Sequence, residues 1–230
     1  MDKLLSDDGC PWDRVQTHES LRQYLMEECY EAIDAVNNND MTALCEELGD
    51  ILLEVVFHSK IGEKLNQFTI DDVIDNISKK MINRHRHIFG GEKADTPEEV
   101  ADSWEKIKNE EKGYQTIAEK INSVPKALPS LLRAEKIQKR SGLDEHITRK
   151  DADNVSTLLN TILKSTNSYE SERRQDKTFI EEQIGMLLFY VVQICRFFRI
   201  NPEFALTNAL ETYITRFKNG ETTMDVCGLM

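Results

Sequence analysis

The chain has 230 residues, of which 40% are hydrophobic and 30% are charged, a composition that supports an ordinary globular core. Its 29 basic and 41 acidic residues give a formal net charge of -12. This charge argues against a general affinity for nucleic acid or for an anionic membrane, because both need a cationic protein face. A small anionic ligand stays compatible with it where a metal ion or a local basic cluster offsets the field.

Cysteine usage and hydropathy predict a cytoplasmic protein that does not enter a membrane. The acidic start, MDKLLSDDGCPWD, has no apolar core typical of a secretion signal. The longest apolar run, residues 184–198, is interrupted by Gln193 and Arg196, so we predict a buried core segment that is too short to span a bilayer. Five scattered cysteines without CxxC spacing favour reduced thiols over a disulfide framework or a zinc site: Cys10, Cys29, Cys45, Cys195 and Cys227.

Apolar residues recur at three- and four-residue spacing along most of the chain, which predicts an all-α fold. Capping residues and proline positions set the expected helix starts. In the first half we predict four helices: His18 to Val36, Thr42 to Leu65, from the cap Thr69 toward Phe89, and from the cap Thr96 with Pro97 at the first helical position.

The chain divides into two halves around a stretch with two prolines and weak periodicity. We predict an N-terminal domain at 1–112, a linker at 113–129 and a C-terminal domain at 130–230. The second half is expected to hold a helix around Leu131 to Arg140 and three more helices up to about Lys218.

The second half also contains a faint repeat of the first. Shifted by 136 positions, EELGDILLEVV at 46–56 lies over EQIGMLLFYVV at 182–192. The apolar and glycine positions agree, but Gln183 and Met186 stand where the first half has Glu47 and Asp50. The pattern predicts a duplicated fold whose second copy lacks the acidic chemistry.

Four acids in the first half have the spacing of a convergent cluster. Glu28 and Glu31 lie three apart on the first helix, and Glu47 and Asp50 lie three apart on the second. If the helices fold back antiparallel about residues 37–40, Glu31 faces Glu47 and Glu28 faces Asp50. The alternative is that these acids form the solvated faces of two ordinary helices.

Clustered carboxylates repel one another, and a divalent cation would relieve that repulsion. The donors are all hard oxygens, and neither pair has histidine as its second member, which favours Mg²⁺, with Mn²⁺ as a substitute, over a di-iron centre. A metal-bound triphosphate also needs cations for its remaining phosphates. The third helix offers Lys80 and Arg84, although a basic helix end that stabilises its own dipole gives the same pattern.

Several motifs in order resemble the MazG family of nucleoside triphosphate pyrophosphohydrolases. They are GCPWDRVQT at 9–17, EECYEAIDA at 27–35, EELGDILLEVVFH at 46–58, NRHRHIFG at 83–90, SWEKIKNEEK at 103–112 and RAEKIQKRSG at 133–142. The resemblance implies two tandem four-helix MazG-like units, a homodimer that completes the site, and hydrolysis of a nucleoside triphosphate to the monophosphate and pyrophosphate.

The family's metal-binding positions fall on Glu28, Glu31, Glu47 and Asp50, and its basic phosphate-contacting positions fall on Lys80, Arg84 and Lys108. Three departures stand out: Asn83 and Arg86 replace a family arginine and proline, the first acidic motif of the second half is replaced by Thr157, Leu158 and Thr161, and the second by Gln183 and Met186. We therefore predict that the C-terminal half is catalytically inactive and serves packing or dimerisation.

The predicted reaction is attack of an activated water on the α-phosphorus. Glu27 or Glu31 would orient or deprotonate that water, and Lys80 and Arg84 would offset charge on the leaving pyrophosphate. Trp12 is a candidate for stacking on the base, with a hydrophobic plug as the alternative. Rival interpretations are a non-catalytic nucleotide-binding or regulatory protein and a narrower dUTP or dCTP pyrophosphatase.

Overall fold

The computed structural model describes residues 1–143, 146–168 and 177–220, and for 166–168 it describes the backbone alone. Within these ranges the chain forms ten α-helices and no strand, which confirms the all-α prediction. The helices are α1 Arg22–Asn37, α2 Met41–Lys64, α3 Ile70–Arg84, α4 Arg86–Phe89, α5 Pro97–Lys112, α6 Ile117–Asn122, α7 Ser130–Ser141, α8 Arg149–Ser168, α9 Lys177–Phe197 and α10 Pro202–Lys218. The chain folds into two compact units, Met1–Glu111 and Lys112–Met230.

Helices α1 and α2 form an antiparallel hairpin joined by a short polar turn. Asn39 takes a left-handed backbone with φ 54°, which asparagine tolerates better than most residues. Asp40 then caps α2, because its side chain accepts hydrogen bonds from the backbone N–H groups of Thr42 at 3.1 Å and Ala43 at 3.0 Å. The helix break therefore lies inside the polar stretch where the sequence predicted it.

The first helix starts later than predicted. The Thr17 backbone N–H donates to Ser20 Oγ at 2.9 Å, and the Ser20 N–H donates to Thr17 Oγ1 at 3.2 Å. These bonds hold residues 18–21 in a turn, so regular helix begins at Arg22 rather than His18. This turn places Leu21 in the core of the first unit, where it packs with Phe57 and Ile61 of α2.

The predicted third helix is broken at His85. Thr69 and Asp72 form a capping box that starts α3, but His85 takes φ −106° and ψ 53°, outside helical values, and the short helix α4 follows. The prediction of one continuous helix to Phe89 was therefore wrong. The His85 Nδ1–H donates to the Met81 carbonyl at 2.7 Å, which ties the ring to the end of α3.

In the second unit, the segment that was predicted to be a linker contains helix α6. Thr116 caps this helix by accepting a hydrogen bond from the Glu119 N–H at 3.1 Å. Arg140 of α7 donates to the Lys120 carbonyl at 3.1 Å and to Ser123 Oγ. The segment is thus anchored to α7, and its six-residue helix is too short to show periodicity in the sequence.

Helices α7 and α8 are both bonded to α9. Gln138 of α7 is fully buried and donates to the Phe189 carbonyl at 2.7 Å. Asn154 of α8 donates to the Tyr190 hydroxyl at 2.9 Å. Helix α10 starts at Pro202, capped by Asn201, and three helices after α7 end at Lys218 as predicted.

Two predictions about the apolar run at 184–198 are corrected by the structure. The helix that contains the run, Lys177–Phe197, has 21 residues and is long and apolar enough to cross a membrane, so its length does not exclude a membrane span. Only 11% of its most apolar window is buried, so most of the run is not core either. The buried positions of α9 are Val192, Gln193 and Arg196.

The described cysteines, Cys10, Cys29, Cys45 and Cys195, are free thiols. Cys227 lies outside the described residues.

Candidate active site

Three of the four predicted metal ligands meet on the α1/α2 hairpin. Glu28 of α1 and Glu47 and Asp50 of α2 each place a carboxylate oxygen within 4.8 Å of the others. All three side chains are partly buried, so they lie at the border between the apolar contact of the helices and solvent. Among the described residues this is the one group of three or more acidic, histidine or cysteine side chains with such spacing.

Glu31, the fourth predicted ligand, is exposed but lies close enough to act on Glu47. Desolvation raises the pKa of Glu47 above its ordinary 4.5, and the negative charges of Glu31, Glu28 and Asp50 raise it further. The hairpin register inferred from the sequence therefore describes the packing: acids from both helices share one negative field. Glu27 is exposed beside this group.

A further carboxylate, which the sequence analysis missed, lies one turn along α2. Glu54 is buried, with 7% of its surface exposed, and its Oε2 atom has no hydrogen-bond partner. Burial raises the pKa of this carboxyl, and the charge of Glu28 raises it further. The spacing of four residues from Asp50 was the signal that would have found it.

Two histidines lie beyond Glu54. His58 Nε2 is 4.0 Å from Glu54 Oε2, and His58 Nδ1 is 2.8 Å from His18 Nδ1. A hydrogen bond between two ring nitrogens needs one donor and one acceptor, so one of these atoms carries the proton. Burial, with a smaller effect from His18, lowers the pKa of His58 and favours its neutral form.

The structure places Arg84 in an ion pair. Its side chain is buried, and it donates to Glu111 Oε2 from Nε at 3.0 Å and from Nη2 at 2.5 Å. Its guanidinium also lies 5.1 Å from the centre of the Trp104 ring. The described residues contain no hydrogen bond or ion pair between Arg84 and the acids of the hairpin, so in this chain Arg84 fastens α5 to the end of α3.

Glu111 and Trp104 are neighbours of Arg84 that sequence reasoning did not single out. Glu111 also accepts a hydrogen bond from Asn83 at 2.6 Å. Hydrogen bonds from Arg84 and Asn83 lower the pKa of Glu111, with a further contribution from the charge of Lys80. Asn83, one of the departures from the family pattern, is thus engaged in the same contact as Arg84.

The two predicted phosphate-binding lysines differ in their surroundings. Lys80 is exposed on α3, one turn before Arg84. Lys108 is partly buried on α5 and bonds Glu105 at 3.1 and 3.2 Å. Lys80 is therefore the predicted cation whose ammonium group is most accessible to a solvent-borne anion.

Trp12 is half exposed and packs edge-on against Tyr24 of α1, with 5.7 Å between ring centres. It is neither a fully buried plug nor a residue of the acidic cluster. A cavity of about 340 Å³ lies nearby, at the far end of α2, and includes Arg14, His18 and Lys64 in its lining. None of the hairpin acids lines this cavity, so the acids and the cavity are separate features.

The matching positions of the second unit offer no acidic site. Thr157 and Thr161 direct their hydroxyls to backbone carbonyls of their own helix, those of Asp153 and Thr157, each at 2.8 Å. Met186 stands at the position of Asp50 and is exposed. At these positions the α8/α9 pair lacks the acids of the α1/α2 hairpin.

Comparison with known proteins gives the family. A family model described as the MazG nucleotide pyrophosphohydrolase domain matches residues 16–89, which include α1, α2 and α3. The chain is 40% identical over 233 residues to the nucleoside triphosphate pyrophosphohydrolase/pyrophosphatase MazG of Thermotoga maritima, an alignment that covers 100% of this chain and 86% of that protein. It is 34% identical over 227 residues to the nucleoside triphosphate pyrophosphohydrolase of Escherichia coli K12, covering 97% of this chain and 84% of that protein.

A third relative, the uncharacterized protein YabN of Bacillus subtilis, is 40% identical over 221 residues, which span 96% of this chain and 45% of that protein. Identity of this level over nearly the full length of the first two relatives establishes common descent. The chain belongs to the MazG family of nucleoside triphosphate pyrophosphohydrolases, a class of hydrolases. The resemblance inferred from its motifs is confirmed.

Proposed function

We propose that the N-terminal unit hydrolyses nucleoside triphosphates to the monophosphate and pyrophosphate, in a Mg²⁺-dependent reaction in which water attacks the α-phosphorus. The observation that carries the proposal is the convergence of Glu28, Glu47 and Asp50 within 4.8 Å, in a chain of this family. The degenerate positions of the second unit support an N-terminal location for the activity.

The residues fit a hard dication. Their donor atoms are carboxylate oxygens on two helices, the set that Mg²⁺ prefers and that Mn²⁺ also accepts. Glu28, Glu47 and Asp50 would hold the ion, with Glu31 completing the set. When bound, such an ion neutralises phosphate charge and assists activation of the attacking water.

The exposed carboxylates and cations would act on the substrate itself. Glu31 and Glu27 are exposed beside the cluster, and either would accept a proton from the attacking water. Lys80 would bind the departing pyrophosphate, and Lys108 would add a second positive charge for the phosphates. Arg84 acts on the substrate only through Glu111 and the position of α5, and Trp12 remains our candidate for contact with the base.

We further propose a homodimer, because the hairpin exposes apolar side chains that no other described element covers. Leu48 and Leu52 lie one turn apart on α2 and are 54% and 60% exposed. Met26 and Tyr30 form a similar pair on α1 and are 57% and 51% exposed. Faces of this kind mark interaction sites, and a second copy of the chain would bury them against each other.

The remaining proposals concern location. The free thiols support a reducing, cytoplasmic environment, and the net charge of -12 supports the absence of nucleic-acid partners. Helix α9 contacts α7, α8 and α10 and carries Gln193 and Arg196 at buried positions, which supports a role in the packing of the second unit rather than in a membrane.

The proposal is tested by incubating the protein with a panel of ribo- and deoxynucleoside triphosphates in ¹⁸O-labelled water, with and without Mg²⁺. Phosphorus NMR and mass spectrometry then identify the products. We expect monophosphate and pyrophosphate, with the label in the monophosphate. Turnover of dUTP and dCTP alone would favour the narrower pyrophosphatase, and binding without turnover would favour a regulatory protein.

A further inference from the structure

One oxygen of the buried Glu54 carboxylate has no hydrogen-bond donor, and the nearest basic group, His58, pairs with it only when protonated. The Oε2 atom of Glu54 is buried and unpartnered, whereas buried ionised oxygens normally have a hydrogen-bond donor or a cation. Glu54 follows Asp50 by one turn of α2, so the two side chains lie on the same face of the helix.

The charged and titratable groups around Glu54 do not neutralise it. Across the hairpin, Glu28 of α1 is another acid, and its charge disfavours ionisation of Glu54. On α2, His58 Nε2 is 4.0 Å from Glu54 Oε2, beyond hydrogen-bond length. His58 would neutralise Glu54 only when protonated, and burial, with a smaller effect from the stacked His18 ring, lowers the pKa of His58 and favours the neutral form.

We infer that Glu54 binds a divalent cation together with Glu28, one helical turn along α2 from the Glu28–Glu47–Asp50 cluster. This inference rests on the proposed function and extends it, because Glu28 has two carboxylate oxygens and lies beside both Asp50 and Glu54. Glu28 would then bridge two cation positions. Bridging carboxylates are the usual way in which paired metal ions that act on phosphates are held a few ångströms apart.

The test is a titration of the full-length protein with Mn²⁺, followed by the EPR signal of the free ion, without nucleotide. Glu54→Gln keeps the size of the side chain and removes its charge. We expect this variant to bind one Mn²⁺ fewer per chain than the wild type, or to bind the last ion at least about tenfold more weakly. Glu63→Gln is the matched control on α2, because Glu63 is exposed and pairs with Lys60, and it should bind as the wild type does.

Two outcomes would overturn the inference. If Glu54→Gln binds Mn²⁺ with wild-type number and affinity, Glu54 is a protonated buried acid and not a ligand. If the wild type binds no Mn²⁺, the whole metal site proposed for the hairpin fails. If the wild type binds Mn²⁺ and Glu47→Gln loses that binding, the hairpin site stands, and normal binding by Glu54→Gln then refutes only the role of Glu54. Glu54→Asp guards against misfolding: it retains the charge and should retain the number of ions with weaker binding, while circular dichroism reports the fold.

Discussion

Glu28 on α1 and Glu47 on α2 each place a carboxylate oxygen within 4.8 Å of the other. The proximity is produced by the polar turn at 37–40, which returns α2 along α1 and brings both acids to the same level of the hairpin. Two carboxylates in this position compete for a proton unless a cation replaces it.

The first prediction concerns pH. The folded state raises the pKa of Glu47 above its ordinary 4.5, so it holds that proton more tightly than the unfolded chain does. The contribution of Glu47 to the free energy of unfolding therefore falls as pH rises from about 4.5 through the raised value, and it stays unfavourable above it. Urea unfolding in EDTA between about pH 4 and 8 should show a smaller loss of stability in Glu47→Gln than in the wild type.

Mg²⁺ should reverse this pattern, because the dication takes the place of the proton. Added Mg²⁺ should stabilise the wild type more at neutral pH than at about pH 4.5, and it should have little effect on Glu47→Gln. Equal stabilisation of both proteins at neutral pH would show that the ion binds elsewhere.

The second prediction separates the structural role of Arg84 from direct phosphate binding. Glu111→Gln leaves Arg84 in place but removes the charge that the buried guanidinium bonds. We expect a loss of about 1–3 kcal/mol in the free energy of unfolding, less than for a fully buried pair because Glu111 is partly exposed. The loss should shrink at acid pH, since a depressed pKa stabilises only where the carboxyl is ionised.

Kinetic measurements distinguish a structural role of Arg84 from direct binding of phosphate. If this arginine acts through the position of α5, Glu111→Gln and Arg84→Lys should both lower stability, while the KM for nucleotide changes less than it does on removal of Lys80. If Glu111→Gln unfolds as the wild type does and Arg84→Lys raises the KM strongly, Arg84 binds the phosphate directly.

The third prediction concerns Lys80 and its neighbour. Lys80→Ala should raise the KM for nucleoside triphosphate by about tenfold or more, the effect of losing one charge-assisted hydrogen bond to phosphate. Lys79→Ala is the matched control, because Lys79 lies next to Lys80 and pairs with Asp75 at 3.3 Å on the exposed surface of α3. Similar KM values for the two variants would show that Lys80 does not bind the phosphates of the nucleotide.

The fourth prediction tests packing on α2. A Cβ added at Gly62 would lie 2.8 Å from the Phe68 ring, a ring that also stacks on His18. Gly62→Ala should therefore cost about 1–3 kcal/mol of stability by overpacking. Gly49→Ala on the same helix meets nothing within 4 Å and should stabilise the monomeric fold by about 0.5–1 kcal/mol, so thermal unfolding of the two variants should shift in opposite directions.

The helices and the acidic cluster were predictable because their causes are local. Asp40, Thr69 and Thr96 cap helices through bonds to residues two or three positions away. The facing of Glu28 with Asp50 follows from the length of one turn. A sequence shows such relations directly, since helix period and turn position are enough to place the side chains.

The remaining features depend on contacts between distant segments. The break at His85 accompanies packing of its ring against Trp104, with 5.1 Å between ring centres. The engagement of Arg84 by Glu111 likewise joins α3 to α5 across a long stretch of chain. Glu54 is a different case: its spacing of four residues from Asp50 is a local signal, but it stands as a single acid within an apolar run.

The most direct test of the account is the Mg²⁺ dependence of pyrophosphate release by the wild type, Glu47→Gln and Glu46→Gln. Glu46 is the exposed neighbour of Glu47 and lies outside the cluster, so its variant makes the same chemical change without touching the proposed ligands. We predict Mg²⁺-dependent release by the wild type and by Glu46→Gln, and a loss of more than about a hundredfold in Glu47→Gln. Full Mg²⁺-dependent release by Glu47→Gln would contradict the proposal that the hairpin carboxylates hold the catalytic ion.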